Sequence, residues 1–230
     1  MRKLLSEVDQ LLRGNLSKRE DLREGRISGR VGNLIAAGIF LGVTYGIFMG
    51  LYAALRSKDP TGHQLWAASL KVPLLFLLTL FVTFPSLYVC CALSGSPLRL
   101  RETARLLLMG IVVDLALLAS FGPITGFFTL CTKSYSFMVL LNVLFFTIGG
   151  LAGLAFLRRG LSAMFEKDPT ATQARLVLQV WVLIYGAVGA QMGWILRPFI
   201  GSPDLPFTLF RHRQSSFFEA VILGIRNLFS

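Results

Sequence analysis

The sequence predicts an all-α fold, a polytopic membrane helical bundle of five transmembrane helices with amphipathic N- and C-terminal helices. Three observations predict it. Five apolar stretches each reach the length a bilayer requires. Charge is sparse, with 15% charged residues against 54% hydrophobic ones and a mean hydropathy of +0.64. Lys and Arg, in a formal net charge of +11, collect in the segments flanking those stretches, which points to anionic lipid headgroups and away from nucleic acid. The chain divides into residues 1–32, a cytoplasmic amphipathic helix and charged connector; 33–199, the five-helix bundle; and 200–230, a Pro-rich turn and an amphipathic interfacial helix.

Leu4, Leu5, Val8, Leu11 and Leu12 make one apolar stripe at helical spacing, with Arg2, Lys3, Glu7, Asp9, Gln10 and Arg13 around it. A short helix follows from that pattern, lying on a membrane surface or against its own protein. Asn15 to Arg30 is a charged connector in which Ser17 and Glu20 have capping-box spacing. No cleavable leader is expected, because the first long apolar run begins only near Asn33.

In that run, Asn33 to Leu55, Gly38, Gly42, Gly46 and Gly50 recur every fourth residue. Each glycine costs a helix about 1 kcal/mol against alanine, so the repeat makes sense as a flat face for a close neighbour. That neighbour lies in the same chain or in another copy.

The other spans are expected at Leu70 to Leu93, Leu106 to Phe128, Phe137 to Leu157, and Leu176 to Leu196. Pro73 and Pro85 in the second and Pro123 in the third, between Gly122 and Gly126, each remove a backbone donor and are hinge candidates that call for covering neighbours. Small-residue faces return at Gly149 and Gly153, and at Gly186, Gly189, Ala190 and Gly193. The second span, Leu-rich and without glycine, is expected to face lipid over much of its surface. The segments placed inside carry roughly twice the Lys and Arg of those outside, which puts the N terminus in the cytoplasm and the C terminus outside.

Beyond Leu196, three prolines and a glycine between Arg197 and Pro206 stop the helix. Ser216 and Glu219 have capping-box spacing ahead of an apolar side containing Phe217, Phe218, Val221, Ile222 and Ile225. At about 14 residues that helix is too short to span. It is expected at the outer interface, with Arg197, Arg211, Arg213, Phe217 and Phe218 contacting lipid or a partner.

One ionisable residue stands deep in a span. Asp114 is nine residues past Arg105, about 13 Å along the helix axis. An acid there costs about 3 kcal/mol by insertion scales, so it faces protein and can hold a proton. It is a candidate ion or proton site, or else a packing acid helped by Asn142, Thr147, Gln179 or Gln191 on other spans. His63 and His212 are isolated, the cysteines (Cys90, Cys91, Cys131) lack paired spacing and read as packing residues, and no phosphate loop is present. No enzyme, metal site or cofactor is expected.

The string Leu70-Lys71-Val72-Pro73-Leu74-Leu75-Phe76-Leu77-Leu78-Thr79, with Thr83-Phe84-Pro85-Ser86-Leu87-Tyr88-Val89, resembles the Lys-x-Pro-apolar segment of Yip-domain membrane proteins. The resemblance implies a non-enzymatic protein that assembles with itself and with other membrane or peripheral proteins. Two function classes are therefore expected: a scaffold or structural subunit of an oligomeric membrane assembly, held by the glycine face and the terminal helices, or an ion channel or transporter with a path past Asp114.

Overall fold

In the computed structural model, which describes residues 2–16, 18, 20–21, 29–56, 62–93, 100–164, 172–197, 199–201 and 207–210, all regular structure among the described residues is helical. We label the helices α1 (Arg2–Leu12), α2 (Val31–Arg56), α3 (His63–Leu93), α4 (Leu100–Cys131), α5 (Tyr135–Met164) and α6 (Thr172–Leu196). The last five are long and apolar enough to cross a membrane. Their 25 to 32 residues exceed what about 30 Å of hydrocarbon needs, so the helices start before the apolar runs and carry their ends into the headgroups. Ser17 of the expected capping box and the whole expected C-terminal helix with Arg211, Arg213, Phe217 and Phe218 lie outside the described residues, as do the side chains of Cys90 and Cys91.

The glycine repeat of α2 meets α3 of the same chain. A methyl group at Gly46 would lie 2.6 Å from the Ala68 carbonyl oxygen and from Ser69 Cα, one at Gly50 would lie 2.8 Å from Leu65 Cα, and one at Gly42 would lie 3.0 Å from Pro73 Cβ. The two backbones are therefore in direct contact, the geometry in which small residues replace side-chain interdigitation. Pro73 lacks the N–H that would bind the Ser69 carbonyl, and the glycine stripe lies over that same turn. α2 turns its other flank to α4, where Phe48 fills the notch formed by Gly122 and Gly126.

The second span, expected to face lipid over much of its surface, is divided: Trp66, Leu70, Phe81, Val82 and Tyr88 are exposed, while Ala67, Ala68, Val72 and Leu75 are buried, because the smooth side that α2 offers needs an equally slim partner, which alanine and proline supply as well as glycine. Pro85 and Pro123 are not covered; their rings are exposed, while both helices run through them without a break.

α4 packs antiparallel on α5 through a ladder in which one helix's side chain enters the other's glycine. Leu106 sits at Gly160, Leu157 at Gly110, Asp114 at Gly153 and Gly149, and Leu118 at Gly149. α6 packs chiefly on α3 and more thinly on α5, so the five helices run in the order α2, α3, α6, α5, α4 around the bundle. α1 lies against α2 and α4, with Leu11 buried, Val8 packed beside the same cluster and Asn33 donating to Glu7 at 2.6 Å, while Leu5 and Leu12 of the same stripe are exposed. Cys131, expected to pack, is exposed instead, because it ends α4 beyond the reach of its neighbours.

Candidate functional site

Buried apolar side chains form two clusters. One includes Leu11, Leu34, Leu106, Met109, Leu157 and Trp181; the other includes Tyr45, Met49, Tyr52, Leu115, Leu118 and Phe145. Asp114 falls where they meet, midway along α4. The residues one helical turn either side at 110 and 118 belong to the leucine-and-glycine ladder, so Asp114 takes a place that leucine fills elsewhere.

The acid is 7% exposed. A methyl group at Gly149 would overlap Asp114 Oδ1, and one at Gly153 would lie 3.2 Å from Asp114 Cβ and 3.5 Å from Oδ2. The notch that admits the carboxyl thus exists because both positions lack side chains. Oδ1 has no hydrogen-bond partner among the described residues. Tyr185 on α6 packs against the first of these apolar clusters. Its ring stacks on Trp181 at 5.5 Å between centroids, and Trp181 donates its indole N–H to Ser86 Oγ on α3 at 3.0 Å.

Several other buried polar groups have partners within the bundle. Tyr45 donates to Asn142 Oδ1 at 2.7 Å, and the Asn142 amide donates to the Met138 carbonyl at 2.8 Å. Thr79 and Thr83 return their hydroxyls to carbonyls one turn back in α3, at 2.8 and 2.6 Å. Three of the expected helpers of Asp114 are accordingly elsewhere: Asn142 serves Tyr45, two turns from the notch; Thr147 is exposed and bonds the Val143 carbonyl of its own helix; Gln179 is exposed on α6.

Of the other predicted positions, Gly38 meets Leu115 and Val112 on α4 at ordinary distances. Gly189 and Gly193 on α6 are contacted loosely, at 3.7 Å by Thr79 and at 4.0 Å by Leu75. Arg197 lies 3.3 Å over the Trp194 ring at the far end of the bundle. A second cluster at that end went unforeseen. The ammonium of Lys71 donates to the Leu209 carbonyl and lies 5.3 Å over the Phe210 ring, while Gln64 donates to the Phe199 carbonyl at 2.7 Å. The chain after α6 is thereby tied back across the start of α3.

Five membrane-length helices folded against one another define a multi-pass α-helical membrane protein. No family model, curated protein or solved structure matches the chain. Among the described residues no three His, Cys, Asp or Glu come together as a metal site would require.

Proposed function

We propose that this chain is a non-enzymatic ion channel or transporter in which a cation passes, or is held, at Asp114. A single observation supports the reading: an acid buried at mid-bundle, in a notch cleared of side chains, with an oxygen that no described residue satisfies. An ionisable group in that position weakens the bundle, and leucine would pack there equally well, which favours a functional reason for its presence. The test is flux of protons, sodium and potassium into liposomes containing the full chain. Wild-type flux should fall at least about tenfold in Asp114→Asn, in line with loss of a pathway acid; equal flux in both would remove the reading.

A scaffold or structural subunit of an oligomeric membrane assembly is the second reading, with the lipid bilayer and its anionic headgroups as surroundings. The stripe of α2 is filled by α3 and offers such an assembly nothing. Support comes instead from the loosely contacted face of α6 at Gly189 and Gly193, and from the likeness of the Lys71-Val72-Pro73 segment to Yip-domain proteins. Native mass measurement in nanodiscs separates the two, since a strict monomer excludes assembly through α6.

A further inference from the structure

We infer that the way to Asp114 from the end where α4 finishes runs along the α4–α5 seam beneath α2, lined by Tyr45, Thr125, Thr129 and Asn142 and gated by the stacked pair Phe121 and Phe145; this rests on the proposed role of Asp114.

Helical spacing puts the acid and this lining on one face. Steps of three and four residues from Asp114 pass through Leu118, Phe121, Thr125 and Thr129 on α4, and the same steps back from Gly149 pass through Phe145, Asn142 and Met138 on α5. Contacts between the helices keep that register: Asp114 and Leu118 meet Gly149, and the Phe121 ring stacks on Phe145 at 4.5 Å between centroids. One turn farther out, α2 brings in Tyr45, which donates to Asn142 Oδ1 at 2.7 Å. Tyr45, Asn142, Thr125 and Thr129 are all buried. Polar side chains are costly to bury in a membrane, and four of them in line with Asp114 make sense together as a lining that water can wet. Thr125 and Thr129 donate to carbonyls one turn back, at 3.3 and 2.9 Å, and a hydroxyl that donates still has lone pairs to offer a cation or water. On α3 the buried Thr79 stands 3.7 Å from where a methyl group at Gly189 of α6 would lie, and so belongs to another interface.

Between that lining and the acid, the two faces carry Leu118 and the Phe121–Phe145 pair. An apolar constriction set within a polar path closes it by excluding water. The pair suits that place, because Phe145 and Leu118 are buried and the two rings lie nearly parallel, 18° apart. The backbone beside it is also the softest turn of α4. Pro123 offers no N–H to the Ala119 carbonyl, so the helix lacks one internal hydrogen bond at the level of Phe121. On the α2 side, Phe48 presses into Gly122 and Gly126 and holds that turn in place. Bending about Pro123 swings Phe121 off Phe145 and joins the outer lining to the acid.

The experiment uses the full chain with its native cysteines replaced by serine. In lipid nanodiscs, where both ends of the bundle meet the reagent, Thr125→Cys and Ile124→Cys stand at one depth, the first in the seam and the second on the exposed side of α4. A charged methanethiosulfonate should label Thr125→Cys at least about tenfold faster, because the thiolate forms only where water reaches it. Leu118→Cys should label as slowly as Ile124→Cys, and at least about tenfold faster once Phe145→Ala removes the gate. In liposomes, Phe145→Ala should raise the flux of protons, sodium or potassium about tenfold, and adding Asp114→Asn should cancel the gain. Thr125→Cys labelled no faster than Ile124→Cys overturns the path, with no gate variant needed. Leu118→Cys that stays slow with Phe145→Ala overturns the gate, and Phe121→Leu gives the same reading should Phe145→Ala fail to fold. Flux that depends on Asp114 while the seam stays unlabelled sinks this inference and leaves the proposed function standing; flux indifferent to Asp114→Asn sinks both.

Discussion

At the residue scale, the role proposed for Asp114 sets function against stability. Leucine has nearly the shape of aspartate and is the residue that the ladder uses at neighbouring turns. Asp114→Leu is therefore expected to raise resistance to unfolding in detergent by about 1–3 kcal/mol, somewhat less than the roughly 3–4 kcal/mol by which insertion scales separate the two residues, while abolishing flux. Should the variant unfold more easily, the acid is holding the helices together. The notch gives a paired test. Gly149→Ala drives a methyl group into the carboxyl and should destabilise by about 1–3 kcal/mol. Gly150→Ala meets nothing within 4 Å and should be neutral or stabilise by up to about 1 kcal/mol. Thermal denaturation of the two variants side by side reads the difference.

At the scale of elements, the α2–α3 pair shows why periodic glycine alone does not name its partner. Gly42, Gly46 and Gly50 are matched by Pro73, Ala68 and Leu65, of which only the proline stands out in the sequence. Gly46→Leu should prevent the two helices from approaching and leave a misfolded, protease-sensitive monomer. A stably folded variant that merely loses oligomers would place the contact between chains instead. α3 also anchors the segment beyond α6. Lys71→Met removes the donor to Leu209 and should raise amide exchange at residues 207–210 by about tenfold, with the bundle unchanged, as expected for loss of a charged hydrogen bond of about 1.5 kcal/mol. Equal exchange in wild type and variant would show that Lys71 does not hold the segment.

For the whole molecule, five crossings would send α1 and the segment at 207–210 to opposite faces. Cysteines placed at exposed Ser6 and Thr208, in a background without the native three, should label with an impermeant maleimide from opposite sides of sealed vesicles. Labelling of both from one side would mean that a helix fails to cross. The order α2, α3, α6, α5, α4 also leaves α2 held along both flanks and α6 held along little more than one.

The sequence by itself determined the five spans, the amphipathic first helix, the small-residue faces and the isolation of Asp114, because hydropathy, period and rarity of charge are properties of a segment taken alone. It read Gly149 and Gly153 as packing positions without relating them to the acid. Only the tertiary structure decided that Gly42, Gly46 and Gly50 of α2 are spent on α3, that Gly149 and Gly153 form the notch for Asp114, and that Asn142 serves Tyr45 in place of the acid. The physical reason is that helices meet through their relative rotation and axial shift, which many helices fix together through close packing, and a one-residue change of register turns a different side chain toward the seam.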